Sequence, residues 1–225
     1  MKLCRFRLLE QPEAVRSGVL HEGKVYETDG VNAIGVHEIS AVRFLNPIGQ
    51  PPNLRLMSGD GDYRYANTFG LLGPDDPITP PLGAASLELK ARFALVVKDL
   101  TDPEEDEVSA ASLLGYTMVV EPLSPNDAWD LPLAIGPVLH TVEEFGDLGQ
   151  FKVELLINQQ PVAEVVQPLL MTPHQALQIA CRTNVVAPGD VIALPAFDLP
   201  LRPAQPGDVA MIRIEKIGAL ALHIA

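Results

Sequence analysis

Prolines and glycines recur so often in this chain that long regular elements are excluded from most of it. The 225 residues contain 21 prolines and 17 glycines, and both residue types interrupt helices and strands. The segments between them are short and hold far more aliphatic than aromatic residues. Such segments favour many short strands joined by tight turns over a helix bundle. We therefore predict a mainly β fold with a few short helices, of the α+β class.

Several short segments carry specific secondary-structure signals. Residues 89–97 begin with alternating and continue with unbroken apolar character, which predicts a strand that enters a core. Residues 102–105 and 172–175 each place a capping residue, then proline, then Glu or Gln at the third helical position, which predicts two helix starts. A similar box at residues 141–144 predicts one short turn of helix.

Turn signals divide the rest of the chain. Glu22-Gly23 and residues 158–160 each separate two strand-like runs, so we expect a hairpin at both places. Pro-Gly-Asp occurs at residues 188–190 and again at 206–208, each time before an apolar run. Proline and glycine fit the central positions of a type II turn, so we predict such a turn before a strand at both sites.

The chain divides into two predicted domains. Residues 1–45 alternate short apolar runs with turn signals, which indicates a small β unit. Residues 46–67 are rich in Pro, Gly, Asp and Asn, a composition typical of a loop that crosses to a main domain. We place the boundary near Pro51, which gives an N-terminal domain of residues 1–50 and a C-terminal domain of residues 51–225.

Charge and cysteine content exclude several classes of function. The formal net charge of −13 argues against nucleic-acid binding, which needs clustered Lys and Arg. No apolar run reaches the length of a signal peptide or of a membrane span. Cys4 and Cys181 lie far apart, and a domain this large needs no disulfide. We expect a soluble protein of a reducing cytoplasm.

Several motifs taken in order resemble the fumarylacetoacetate hydrolase family, whose members include related decarboxylases, hydratases and isomerases of small oxo acids. The similarity covers most of the chain. It is carried by the start MKLCRFR, Leu-Gly-Pro-Asp-Asp-Pro-Ile at 72–78, Leu-Gly-Tyr-Thr at 114–117, Ile-Gly-Pro-Val at 135–138, and the two Pro-Gly-Asp segments. The resemblance implies a β-sandwich roll with a small N-terminal β unit, and a homodimer formed through the large domain.

The resemblance also indicates where a divalent metal would be held. The family binds magnesium or manganese with a Glu-x-Glu pair on one strand and an Asp after the Gly-Tyr motif. Aligned on residues 94–97, the Glu-x-Glu pair falls on Lys90 and Arg92, and the Asp falls on Glu121. Two cations in place of two carboxylates disfavour a divalent ion. We predict that the metal site is lost and that no cofactor replaces it.

Further parts of the family's site have no counterpart. The family's acid/base His and Glu lie on a lid, whereas residues 57–66 contain no His and are few. Residues 124–133 hold no lysine to match the one often found before the Gly-Pro motif. The family's Thr-Gly-Thr loop is Ala-Leu-Pro at 193–195, so its hydroxyl groups are also missing.

Three interpretations of Lys90, Arg92 and Glu121 remain open. They form an ion-pair cluster that replaces the metal, since buried charges must be paired. Alternatively, Arg92 binds the carboxylate or enolate-like oxygen of a ligand, or Lys90 acts as an amine nucleophile or base.

The leading functional hypothesis is a divergent, metal-independent family member that handles a small oxo acid or 1,3-dicarbonyl compound. Carbon–carbon hydrolases, decarboxylases and isomerases are the nearest analogy, with Lys90, Arg92 and Glu121 as the catalytic candidates. The alternative is a catalytically inactive relative that serves as a binding or structural dimer subunit. An open cavity lined by Lys90 and Arg92 would favour ligand chemistry.

Overall fold

The computed structural model describes residues 1–99, 112–124, 131–182 and 184–225. Its strands, in chain order, are β1 (Lys2–Leu8), β2 (Gln11–His21), β3 (Lys24–Thr28), β4 (Ala33–Glu38), β5 (Val42–Leu45), β6 (Leu54–Met57), β7 (Tyr63–Ala66), β8 (Pro77–Ile78), β9 (Glu88–Val97), β10 (Leu113–Leu123), β11 (Ala134–Thr141), β12 (Gln150–Ile157), β13 (Gln160–Pro168), β14 (Val191–Ala193), β15 (Val209–Ile214) and β16 (Gly218–Ile224). The described helices are α1 (Val142–Phe145) and α2 (Pro173–Ala180). The predicted mainly β fold with few short helices is confirmed.

Two sheets account for all of these strands. The first has eleven strands in the order β4-β3-β2-β1-β11-β10-β9-β14-β6-β7, with β5 also paired to β1. The second has five strands in the order β13-β12-β15-β16-β8. Strand β1 pairs antiparallel with β11, where Leu3 lies opposite Leu139. This pairing places strands from the first fifty residues and from the rest of the chain in one sheet.

The main core draws side chains from both sheets and from helix α2. Its aromatic centre is Phe93 on β9, whose ring centroid lies 5.3 Å from those of Tyr116 and Phe151 and 5.7 Å from that of Phe145. Residues 91–97 of β9 are all buried, as expected of a strand covered on both faces. The predicted strand at residues 89–97 is confirmed.

The turn predictions are also confirmed. Glu22-Gly23 connects β2 to β3, and Asn158-Gln159 connects β12 to β13. Both turn residues of the second hairpin have positive φ, 50° and 66°, as a two-residue hairpin turn of right-handed twist requires. In the two Pro-Gly-Asp segments, Gly189 and Gly207 have φ of 85° and 93°, the left-handed position of a type II turn.

The structure tests two of the three predicted helix starts. Thr172 caps helix α2 through a complete capping box with Gln175, and Pro173 occupies the first turn. Helix α1 begins at the predicted Thr141, whose side chain makes no capping bond. Its hydroxyl instead accepts the N-terminal ammonium of Met1 at 2.7 Å. The predicted helix at residues 102–105 lies outside the described residues. No described helix is long and apolar enough to cross a membrane.

The loop prediction for residues 46–67 is wrong in part. This segment contains the hairpin of β6 and β7, in which Leu54 pairs with Ala66 and Met57 with Tyr63. All four residues of β6 are buried, and β6 pairs parallel with β14. Turn-forming residues on both sides of this four-residue strand dominate the local composition, so composition alone predicts a loop. The strand forms because its residues are buried in the sheet. The hairpin matters because it borders the candidate site.

Candidate functional site

The three predicted site residues lie on two adjacent central strands of the first sheet. Lys90 and Arg92 are on β9, and Glu121 is on β10. Glu121 lies directly opposite Lys90, and Val119 lies opposite Arg92. Residues two apart share one face of a strand, and directly opposed residues share a face across the ladder. The sheet therefore presents all three side chains on the same face.

Arg92 and Glu121 form a buried ion pair. Arg92 is 8% exposed and Glu121 is 6% exposed. Arg92 Nε donates to Glu121 Oε2 at 2.8 Å, and Arg92 Nη2 lies 2.7 Å from the same oxygen. A charge-assisted contact of this kind offsets the cost of removing both charges from water. The structure thus contains the pairing of Glu121 with Arg92 that the sequence predicts.

Arg92 is also bound to the backbone of neighbouring segments. Its Nη1 donates to the carbonyl oxygen of Met57 on β6 at 2.8 Å and to that of Leu194, after β14, at 3.1 Å. With the two contacts to Glu121, four of the five guanidinium N–H groups have protein acceptors. Arg92 therefore links β9 to β6, β10 and the end of β14.

The second partner of Glu121 is Arg64, which the sequence analysis missed. Arg64 Nη2 donates to Glu121 Oε1 at 2.7 Å, so each carboxylate oxygen accepts from a different arginine. The Arg64 side chain is 57% exposed, in contrast to the buried Arg92. It lies on β7, inside the segment predicted as loop. The alternation in Tyr63-Arg64-Tyr65-Ala66 is the signal that could have indicated a strand there.

Lys90 stands apart from this pair. Its side chain is partly buried, and within the described ranges it forms no ion pair. Glu121 pairs with Arg92 and Arg64 although its backbone faces Lys90. We use the name arginine–glutamate cluster for Arg64, Arg92 and Glu121.

The arginines keep Glu121 ionised. Burial alone would raise the pKa of the Glu121 carboxyl, but the charge of Arg92 and hydrogen bonds from Arg92 and Arg64 outweigh it. The net result is a pKa below the ordinary glutamate value. Glu121 is thus an acceptor for two guanidinium groups and a poor candidate for a general acid or base near neutral pH.

A cavity of about 270 Å³ borders the cluster. We call it the hairpin cavity because most of its lining comes from the β6–β7 hairpin, including Ser58, Asp60, Asp62 and Arg64, while Arg92 closes it from β9. Lys90 does not line it. A cavity lined by both Lys90 and Arg92 would have favoured ligand chemistry; of these two residues, Arg92 alone lines this cavity.

The hairpin cavity also carries carboxylates. Asp60 and Asp62 lie in the turn between β6 and β7. The Ser58 hydroxyl shares its single proton between Asp60 and the Asp62 carbonyl oxygen. Two guanidinium groups and two carboxylates therefore line the same cavity.

The residues present do not fit a divalent metal. Across the described parts of the chain, no group of three or more His, Cys, Asp or Glu side chains is placed to hold an ion. Both oxygens of Glu121 already accept N–H groups of arginines. Hard cations require several oxygen ligands, whereas this position offers one carboxylate between two positive charges. No step of the chemistry can therefore be assigned to a metal here.

Comparison with known proteins supports the family resemblance. Residues 65–225 match the family model described as fumarylacetoacetate (FAA) hydrolase C-terminal. No curated protein sequence matches the chain.

Solved structures share the fold over the whole chain. The 5-carboxymethyl-2-hydroxymuconate delta-isomerase of Mycobacterium smegmatis is 19% identical with a TM-score of 0.83, covering 100% of this chain and 99% of that chain. The maleylpyruvate hydrolase of Sphingobium sp. SYK-6, solved with manganese (II) ion and pyruvate, is 17% identical with a TM-score of 0.82 over 100% and 99%. The fumarylacetoacetate hydrolase of Exiguobacterium antarcticum is 21% identical with a TM-score of 0.82 over 100% and 99%.

These identities are low, so the likenesses show the fold, and the family model that matches most of the sequence shows the family. The chain is a member of the fumarylacetoacetate hydrolase family.

Proposed function

We propose that this chain is a metal-independent member of its family that binds a small oxo acid or 1,3-dicarbonyl compound in the hairpin cavity. The observation that carries the proposal is the Glu121 carboxylate, which is bound by Arg92 and by Arg64. Glu121 and Arg92 lie on the two strands where the family resemblance places metal ligands, and Arg64 reaches Glu121 from β7. Guanidinium groups supply there the positive charge that a metal would otherwise supply. Such groups bind carboxylate and enolate-like oxygens through directed N–H bonds.

The two arginines have different tasks in this proposal. Arg92 is fixed by Glu121 and two backbone carbonyl groups, so it forms a rigid wall of the cavity. Arg64 is more than half exposed, and its contact with Glu121 is made through Nη2. Arg64 can therefore direct its other N–H groups to a ligand carboxylate without releasing Glu121.

The carboxylates at the cavity limit its affinity for anions. Asp60 is engaged by the Ser58 hydroxyl, and Asp62 Oδ1 accepts the Tyr63 amide at 2.8 Å. Both oppose a second negative charge through like-charge repulsion. We therefore propose that the ligand is small and carries its carboxylate at the Arg64 side, with any reaction limited to polarisation of a neighbouring carbonyl group.

A second candidate function is a catalytically inactive relative that serves as a binding or structural dimer subunit. The observation that favours it is the consumption of four Arg92 N–H groups by protein acceptors. A guanidinium committed in this way stabilises the sheet and leaves little for a transition state. In this case the arginine–glutamate cluster is a structural replacement of the metal, and Lys90 and Arg92 have no catalytic role.

Ligand binding in the presence of a chelator tests the proposal. Calorimetry with pyruvate, oxaloacetate and acetylpyruvate in excess EDTA should show binding of at least one of them. Arg64→Gln should weaken it by about tenfold, because a direct ion pair is lost. Arg213→Gln is the matched control, since Arg213 is also half exposed and ion-paired, to Glu154 in the second sheet.

The outcome separates the two candidates. Binding that Arg64→Gln weakens and Arg213→Gln leaves unchanged supports a ligand site. Absence of binding by all three compounds contradicts it and favours the inactive relative. A loss of acetylpyruvate absorbance in the presence of the protein and EDTA would show that the protein also catalyses a reaction of this compound.

A further inference from the structure

A second cavity of about 330 Å³ adjoins the hairpin cavity. The two share residues 62–64 of the β6–β7 hairpin in their linings. The second cavity is completed by Tyr65 on β7 and by Ile179, Arg182 and Asn184 at and beyond the end of helix α2. We call it the tyrosine cavity. None of the three interpretations of the sequence involves it.

The two tyrosine rings that line this cavity are held in place by Arg55. Arg55, 1% exposed, places its guanidinium carbon 5.2 Å from the ring centroid of Tyr65 and 5.8 Å from that of Tyr63. The two tyrosine rings contact each other edge to face, with centroids 5.5 Å apart. Arg55 is itself held by Asp190, which is fully buried, through a 2.7 Å bond. Cation–π and edge-to-face contacts thus hold both rings in one orientation.

This support leaves Tyr65 available to a ligand. Tyr65 is 48% exposed although Arg55 lies against its ring. Its hydroxyl accepts a hydrogen bond from the Asn184 amide at 3.2 Å. A large apolar surface that is half exposed and already ordered loses little entropy when a ligand stacks on it.

The cavity also contains a cation that pairs with no residue in the described part of the chain. Arg182 is exposed, and it makes no ion pair with any described residue. The lining carries two guanidinium groups, of Arg64 and Arg182, against the single carboxylate of Asp62. Arg64 shares its charge with Glu121, whereas Arg182 pairs with no described residue, so Arg182 is the guanidinium group that we assign to an anion in this cavity. A planar guanidinium fork matches a carboxylate in two parallel N–H bonds.

We propose that the tyrosine cavity binds a planar aromatic carboxylate, whose ring stacks on Tyr65 and whose carboxylate pairs with Arg182. An aliphatic anion uses only the arginine, and a neutral aromatic ring uses only the tyrosine. An ordered tyrosine ring and the Arg182 guanidinium group in one cavity therefore favour a ligand that carries both an aromatic ring and a carboxylate. The proposal assigns the ligand to Tyr65 and Arg182, neither of which lines the hairpin cavity.

Calorimetry with three probes on the full chain tests this inference. Benzoate carries both groups, cyclohexanecarboxylate keeps the charge without the aromatic plane, and benzamide keeps the plane without the charge. Benzoate should bind at least about fivefold more tightly than either of the others. Saturation-transfer NMR should place the benzoate ring protons against the protein. Because the two cavities share Asp62 and Arg64, the charge of bound pyruvate weakens benzoate binding. The two sites are instead separated by Arg182→Gln, which should weaken benzoate binding and leave pyruvate affinity unchanged.

Matched variants locate the site. Tyr65→Leu and Arg182→Gln should each weaken benzoate by about fivefold, whereas Tyr65→Phe, which keeps the ring, should stay within about twofold. Tyr26→Leu and Arg213→Gln are controls for the loss of a tyrosine and of a positive charge elsewhere. Equal binding of benzoate and cyclohexanecarboxylate overturns the proposal, as does no benzoate binding at about 10 mM. If Tyr65→Leu fails to fold, Arg182→Gln and Tyr65→Phe still decide the question.

Discussion

Glu121 Oε2 accepts Nε of Arg92 at 2.8 Å across two neighbouring central strands, with both side chains almost fully buried. Arg64 binds the other oxygen from the exposed side. In the family resemblance these strands carry the carboxylates of a divalent metal site. The aligned positions hold Lys90, Arg92 and Glu121. Arg64 joins the cluster from β7, so the cluster links the hairpin to the centre of the sheet.

Removal of the central carboxylate should destabilise the fold strongly. Glu121→Gln leaves Arg92 buried without its counter-ion, and breaking a buried pair costs about 3–5 kcal/mol. Urea unfolding of the variant and the wild type measures this loss. Glu38→Gln is the control, because Glu38 pairs with Lys24 at an exposed position and should cost under about 1 kcal/mol. A similarly small loss for Glu121→Gln would contradict the buried ion pair.

The same carboxylate should contribute to the pH dependence of stability. The pKa of Glu121 is lower in the folded protein than the ordinary value of 4.5. A carboxyl group with a lowered folded pKa stabilises the fold above its unfolded pKa, and the contribution disappears as pH falls through the folded pKa. The stability difference between wild type and Glu121→Gln should therefore be constant near neutral pH and shrink below pH 4.5. A difference that grows on acidification would contradict this assignment.

Much of the fold could be predicted from local signals. The buried strand at residues 89–97 and the capping box at Thr172 depend on neighbours in sequence, so the pattern alone identifies them. The Pro-Gly turns at Gly189 and Gly207 are local in the same way. Strand β6 is different, because its identity comes from burial and from pairing with β14, far away in the chain.

The site could be predicted only in part for a related reason. The family resemblance groups Glu121 with Lys90 and Arg92 and leaves open which of them pairs with it, and the pairing of β9 with β10 places all three on one face. The role of Arg64 depends on the fold of a hairpin that composition masks, so Arg64 was missed. Lys90 faces Glu121 in the backbone register but does not bind it. Which of the three cations binds Glu121 depends on the length and direction of their side chains and on competition between them. The spacing of residues in the sequence predicts neither.

We predict that the protein is a homodimer. The family resemblance motivates this prediction, and large apolar side chains such as Phe69 and Leu82 are exposed in the single chain. Light scattering should give a mass about twice the 24.3 kDa of one chain. A monomer at high micromolar concentration would count against it.

Restoring the family's ligands should restore metal binding. The combined change Lys90→Glu, Arg92→Glu and Glu121→Asp places three carboxylates on the shared face of β9 and β10. Because a metal that binds only the folded state raises stability, magnesium should raise the melting temperature of this variant and not that of the wild type. Addition of Arg64→Gln removes a competing cation and should increase the shift. A folded variant without any magnesium response would contradict the strand alignment.

Metal content tests most directly our proposal that the arginine–glutamate cluster stands in place of a metal. The wild-type protein, purified without chelator and then dialysed against manganese (II), should be analysed by elemental analysis and by electron paramagnetic resonance. Both oxygens of Glu121 are occupied by arginine N–H groups, so we expect far less than one magnesium, manganese or calcium ion per chain. One tightly bound divalent ion per chain, lost in Glu121→Gln, would contradict the account.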